Sequence, residues 1–208
     1  MEKNIVLGLA LFALAISAIG LGFNYYVEKG ITGLTTYNDT GKVNLTVSTN
    51  LMIEFQSAYE LIAWGNGYVN ITGGSDFAIL DTATNEVSNG TWVNTTAKGF
   101  VVENIGNVNC SLYIRMGKNN VTFIGGSRPS YKYNVSNNET GSCTNSTDFL
   151  LSAWNEVNTT ADYGTKICDK FPFEDTRDQI KIDIQLVIPS DSRTGLLEDI
   201  ITATAEIA

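Results

Sequence analysis

The sequence predicts a mainly β protein, an N-terminal hydrophobic α-helix followed by an antiparallel, Ig-like β-sandwich. Three observations carry this. Ile5 to Phe23 is an uncharged run whose one hydroxyl is Ser17; period-two alternation of apolar and polar residues recurs from Val43 onward; and Gly/Asn/Pro turn chemistry punctuates those segments at roughly regular spacing.

The helix is assigned to residues 1–27. Its 19-residue run would reach about 28 Å as a helix, close to the hydrocarbon thickness of a bilayer. It reads in three ways: a cleaved secretory signal, a retained membrane anchor, or a helix that leaves the membrane to bundle with copies of itself. Ala15-Ile-Ser17 and Ala18-Ile-Gly20 suit cleavage. The aromatic cluster Phe23, Tyr25, Tyr26 suits retention, with rings at headgroup level. Ala13/Ser17 and Ala18/Gly22 stand four apart and would let helix backbones approach closely.

Residues 28–41 are a linker, since Gly30, Gly33 and Asn38-Asp-Thr-Gly41 oppose helix continuation. The β-domain is assigned to residues 42–208. Half-buried strands are predicted at Val43/Leu45/Val47, Phe77/Ile79, Leu112/Ile114/Met116 and Ile180/Ile182/Ile184/Leu186/Ile188, the last alternating with Lys181, Asp183 and Gln185. Further strands are expected at Leu51–Phe55, Tyr59–Trp64, Tyr68–Ile71, Phe100–Glu103, Val121–Ile124 and Ile200–Ile207, with one short helix at Leu150–Val157. Residues 128–170 carry four Asn-x-Ser/Thr triplets and two cysteines with few apolar residues, which reads as a loop-rich insertion serving as a stapled glycan platform.

The 208 residues hold 22 acidic and 13 basic side chains, a net charge of −9, which opposes nucleic acid or anionic headgroups as partners. There is no histidine, so the commonest general base and metal ligand is missing. No Gly-x-Ser-x-Gly elbow appears, and Gly73-Gly-Ser75 and Gly125-Gly-Ser127 read as turns. Asp162, Asp169, Glu174, Asp175 and Asp178 could offer oxygen ligands to Ca²⁺, but without regular spacing they read as a solvated acidic surface. Trp64, Trp92 and Trp154 could line a sugar-binding face and read instead as core or shielded positions. Neither an enzyme nor a small-molecule substrate is expected.

Three cysteines allow one intrachain bridge. Cys143–Cys168 is favoured because the polar, turn-rich segment between them needs a staple; Cys110–Cys143 is the alternative. The odd thiol is either buried or a link between subunits.

Asn-x-Ser/Thr occurs at Asn38, Asn44, Asn70, Asn89, Asn94, Asn109, Asn120, Asn134, Asn138, Asn145 and Asn158. With 21 Asn and 37 Ser plus Thr, chance gives roughly four such acceptors. The excess points to N-glycosylation on an exported surface. None lies beyond Asn158, so the C-terminal strands are expected to be covered by the interior or by a neighbouring subunit.

An apolar N-terminal helix, Ile5 to Tyr26, followed by a sequon-dense acidic β-domain resembles archaeal type IV-like pilins and archaellins. The resemblance implies helices bundled in a filament core with glycosylated β-domains outside. The phrases Gly30-Ile-Thr-Gly33, Asp39-Thr-Gly-Lys-Val-Asn-Leu-Thr46 and Val102-Glu-Asn-Ile-Gly-Asn107 are similar to exported archaeal β-sandwich proteins. Some filaments of that kind polymerise by strand donation, for which Lys42–Thr49 or Ile200–Ala208 would serve. The expectation is an extracellular structural subunit whose partners are copies of itself, and the membrane before assembly, with covalent N-glycans and no cofactor. The alternatives are a single-pass cell-surface or coat glycoprotein, or a secreted subunit joined by strand exchange.

Overall fold

The computed structural model describes residues 42–93, 98–144, 146–159 and 163–207, together with Ser17. The chain divides into two compact units, Met1–Thr46 and Val47–Ala208. In the first, residues 42–46 are exposed without regular secondary structure, and Ser17 is helical and exposed. The remainder of the apolar run, including Ala13, Ala18 and Gly22, lies outside the described residues, as do Asn38, Asn94, Asn145 and Asp162.

The second unit is mainly β and is built on one long strand. Gln179–Pro189 pairs on one side with Ser130–Asn137 and on the other with Phe100–Glu103 over its first half and Phe77–Asp81 over its second, all antiparallel. In chain order the strands are β1 (Glu54–Phe55), β2 (Phe77–Asp81), β3 (Glu86–Ser88), β4 (Phe100–Glu103), β5 (Cys110–Met116), β6 (Ser130–Asn137), β7 (Trp154–Glu156), β8 (Thr165–Phe171), β9 (Gln179–Pro189) and β10 (Ile201–Ile207). β1 extends the large sheet beyond β4, β3 beyond β2 and β7 beyond β6. A second antiparallel sheet has the order β10-β5-β8.

Period-two alternation explains the layering. Ile180, Ile182, Ile184, Leu186 and Ile188 are buried from β9, joined by Tyr131, Tyr133 and Val135 of β6 and by Leu80 and Val102. Leu112, Ile114 and Met116 of β5 and Ile167 and Phe171 of β8 complete the same core. Stripping this much apolar area from water is the main stabilising term. Asp183, on the other row of β9, is also buried, but it bonds the Thr82 hydroxyl at 2.9 Å and the Lys181 ammonium at 2.9 Å. A buried charge is tolerated on such terms.

Several segments differ from their sequence reading. Val121–Ile124 is not a strand: the Asn119 carboxamide accepts from Thr122 N–H at 2.8 Å while Thr122 Oγ1 accepts from Asn119 N–H at 3.0 Å, and this reciprocal cap starts a one-turn helix, α1 (Asn120–Phe123). Leu150–Val157 is not a helix, because Ser152 sits at φ 57° and Trp154–Glu156 pairs with β6. Tyr59–Trp64 has no ladder after the 3-10 turn Ser57–Tyr59, and Tyr68–Ile71 reduces to a single bridge, Val69 to Gly90. Of Leu51–Phe55 only the last two residues pair. Residues 42–50 form no regular secondary structure. The stretch 128–170, read as a loop-rich insertion, supplies β6, β7 and much of β8, because Tyr131/Tyr133/Val135 and Ile167/Cys168 face the core.

Cys143 and Cys168 are bridged, fastening the loop after β6 to β8 across a separation of 25 residues. Cys110 is a free, buried thiol pushed up to about 11 by burial, so it takes the buried of its two expected roles. Closing a loop of that size contributes about 3 kcal/mol. The paired Cys143→Ala, Cys168→Ala variant is therefore expected to lose about that much in denaturant titration; a midpoint unmoved by substitution or by reductant would contradict it.

Candidate functional site

The feature with the most chemistry to place is the loop after β4. Its first residue, Asn104, is buried and fully engaged: Nδ2 donates to the carbonyls of Val108 at 3.1 Å and Phe171 at 3.2 Å, and Oδ1 accepts from Gly106 N–H at 3.2 Å. One carboxamide thus joins the end of β4 in the large sheet to the end of β8 in the small one. It also shapes the loop so that Asn107 faces residues 48–50. There Asn107 Oδ1 accepts from Asn50 N–H at 2.6 Å, its N–H donates to Asn50 O at 2.9 Å, and its Nδ2 donates to Ser48 O at 2.9 Å. A Cβ on Gly106 would come within 2.4 Å of Asn50 O, so only glycine admits this approach.

The clamped segment belongs to one long amphipathic pattern. Val43, Leu45, Val47, Leu51, Ile53 and Phe55 alternate with other positions that are polar except Met52, and the apolar row itself is interrupted at Thr49. Past the clamp, Leu51, Ile53 and Phe55 rest half-buried against the core. Before it, Val43, Leu45 and Val47 are 94%, 84% and 73% exposed. Half of the pattern is seated and half is bare. The second open element is β10, paired with β5 along its whole length from Ile201↔Met116 to Ile207↔Cys110 and with no ladder on its other edge among the described residues. Just ahead of β10, Asp199 faces the buried Tyr131 hydroxyl, whose pKa is raised by burial first and by Asp199 second.

The expected glycan acceptors fall into two groups. Asn44, Asn70, Asn89, Asn138 and Asn158 are exposed. Asn109, Asn120 and Asn134 are half-buried; Asn120 Nδ2 donates to Pro129 O at 2.8 Å, and the carboxamide oxygens of Asn109 and Asn134 are buried. The acidic residues are spread out: Asp169 is held by Thr147 and Lys166, Glu174 by Arg177, and Asp175 is exposed. Trp64 and Trp92 are half-buried against the core and Trp154 is half-buried in β7.

A cleft of about 550 Å³ opens beside β4 and β9, lined in part by Tyr59, Asn85, Lys98 and Lys181. Lys98 lies 5.8 Å from the Tyr59 ring centroid. Other wall groups are already bonded to neighbours: Gln56 to Glu103 at 2.7 Å, Asn138 to Gln179 at 2.9 Å and Lys181 to Asp183. Such a wall presents few convergent donors to a ligand. Nearby, Asp178 is buried, and that burial, then the charges of Glu103 and Glu139, push its carboxyl up to about 6. Its neighbourhood was invisible in sequence, since Glu103, Glu139 and Asp178 meet only through the pairing of β4 with β9 and the bond from Asp178 N–H to Glu139 at 2.9 Å.

No protein-family model, curated protein or solved structure matches the chain.

Two outcomes follow. Peptide mass spectrometry of the native protein should find sugar at Asn44, Asn70, Asn89, Asn138 and Asn158 in preference to Asn109, Asn120 and Asn134; the reverse order would contradict the accessibility argument. The folded Asp178 keeps its proton to about pH 6, whereas the unfolded carboxyl loses it near pH 4, so the penalty is absent at low pH and develops as pH rises through that window. Asp178→Asn should therefore gain about 2–3 kcal/mol more over the parent at pH 7 than at pH 3.5 in chemical denaturation. Equal gains at the two pH values would refute it.

Proposed function

We infer that the chain is a structural subunit of an extracellular filament, its apolar N-terminal run packed among copies of itself and its β-domain, an Ig-like sandwich in the loose sense, carrying sugar outside. The observation that carries this reading is the joining of an uncharged 19-residue run to a β-body that holds five sequon asparagines at exposed positions. Burying such a run among its own kind removes on the order of 1,000 Å² of apolar surface, about 25 kcal/mol before ordering costs. That is ample to hold a polymer.

Two further features support it. The Cys143–Cys168 bridge suits an oxidising exterior. The acidic surface, at net −9, keeps a crowded coat soluble and disfavours adhesion to anionic headgroups.

The reading separates cleanly from a single-pass surface glycoprotein. A filament subunit shears from cells and sediments without detergent, while an anchored glycoprotein stays with membranes and needs detergent for release. Recovery of detergent-soluble monomer alone removes the filament reading. Mass spectrometry of the native N-terminus is expected to find the run from Ile5 to Phe23 present; its absence from the mature chain would equally defeat the proposal.

A further inference from the structure

We propose that the cleft beside β4 and β9 is the seat of the chain's own carbohydrate: the N-glycan at Asn138 folds back into it, its first sugars against Tyr59 and Lys98. The inference deepens the glycoprotein reading above and rests on it, naming where one of the expected sugars lies and what it covers.

The cleft lies on the outer row of the large sheet. Val101 and Lys181, both on its lining, are directly opposed in the β4–β9 register and alternate with the core residues Val102, Ile180 and Ile182. Around them stand Tyr59 after β1, Asn85 in the β2–β3 turn, Lys98 ahead of β4, and Asn138 with Gln179 where β6 ends beside β9.

Of the acceptor asparagines among the described residues, Asn138 alone lines this cleft. Its triplet is Asn138-Glu-Thr140, and Asn138 and Thr140 are both exposed. Its Nδ2, the atom to which the sugar is joined, donates to Gln179 Oε1 at 2.9 Å. That bond holds the attachment nitrogen at the cleft wall, and a glycosylated carboxamide retains one N–H with which to keep it.

The wall suits a sugar. A sugar ring presents hydroxyls around its rim and an apolar C–H face, so carboxamides and an aromatic ring together match it. Tyr59 offers a half-buried ring and Asn85 an exposed carboxamide. Lys98 offers an exposed ammonium with no ion pair among the described residues. The volume, about 550 Å³, lies in the range that seats small ligands. Few convergent donors argue against capture of a free ligand, not against a tethered one. Covalent attachment sets an effective concentration in the millimolar range, so contacts too weak to retain a free saccharide hold one already joined to the chain.

The test uses full-length protein from its native source, with occupancy of Asn138 read by peptide mass spectrometry. Acylation of Lys98 by a succinimidyl ester is followed beside that of Lys170, an exposed lysine on β8. Lys98 should react severalfold more slowly in the parent than in Thr140→Ala, which deletes the acceptor triplet but leaves Asn138 and its bond to Gln179. Thr140→Ser keeps the triplet and should keep the protection, and Lys170 should react alike in every form. Parent chain made in a host that adds no sugar is a second comparison and should match Thr140→Ala. Mild periodate oxidation of the native glycan, then reductive amination, should join the Asn138 glycopeptide to the peptide that holds Lys98. Sugar on Asn138 with Lys98 labelled equally in all forms overturns the proposal and leaves the glycoprotein reading standing. So does a Lys98 still protected in Thr140→Ala, since the cleft is then filled from elsewhere, and so does a bare Asn138 beside occupied Asn44, Asn70 or Asn89. Carbohydrate absent from every acceptor removes both.

Discussion

The buried carboxamide of Asn104 is the constraint on which the arrangement depends. It satisfies Phe171 O from the small sheet and Val108 O from its own loop, at 3.2 and 3.1 Å, from a position at the end of β4 in the large sheet. Two carbonyls left unpaired in that interior would each cost about 1–3 kcal/mol. The same side chain accepts from Gly106 N–H, and this bends the loop so that Asn107 reaches residues 48–50. A single buried polar group therefore couples the joining of the sheets to the anchoring of residues 48–50.

β9 plays the complementary part. It is the longest strand and has neighbours along both edges, β6 on one side and β4 then β2 on the other. Its apolar row supplies the centre of the core, and its polar row supplies Lys181, Asp183 and Gln185, which bond among themselves and with Thr82 and Asp81. β9 thus presents one dry row and one row that carries bonded polar groups.

Much of this was legible in the sequence where a pattern was local. The alternation of Ile180 to Ile188 marks β9, Phe100–Glu103 coincides with β4, and the favoured bridge, Cys143 to Cys168, forms. What escaped was of two kinds. Short capping chemistry outweighed apolar content at Val121–Ile124, where the Asn119–Thr122 exchange winds a turn of helix. Long-range pairing was the other: β6 was hidden in a stretch read through its Asn, Ser and Cys, although Tyr131, Tyr133 and Val135 alternate within it. Asn104 and Asn107 stand in the phrase Val102-Glu-Asn-Ile-Gly-Asn107, but their reach to Phe171 and Ser48 exists only once the sheets are assembled. The excess of acceptor triplets was plain in sequence, but which of them are exposed was not.

Cys168 and Phe171 stand close together on β8, the first bridged to Cys143 and the second bonded through its carbonyl to Asn104. The outer strand of the small sheet is thus tethered at two points, one that a reductant can open and one that it cannot. Loss of the bridge would loosen that edge without releasing it.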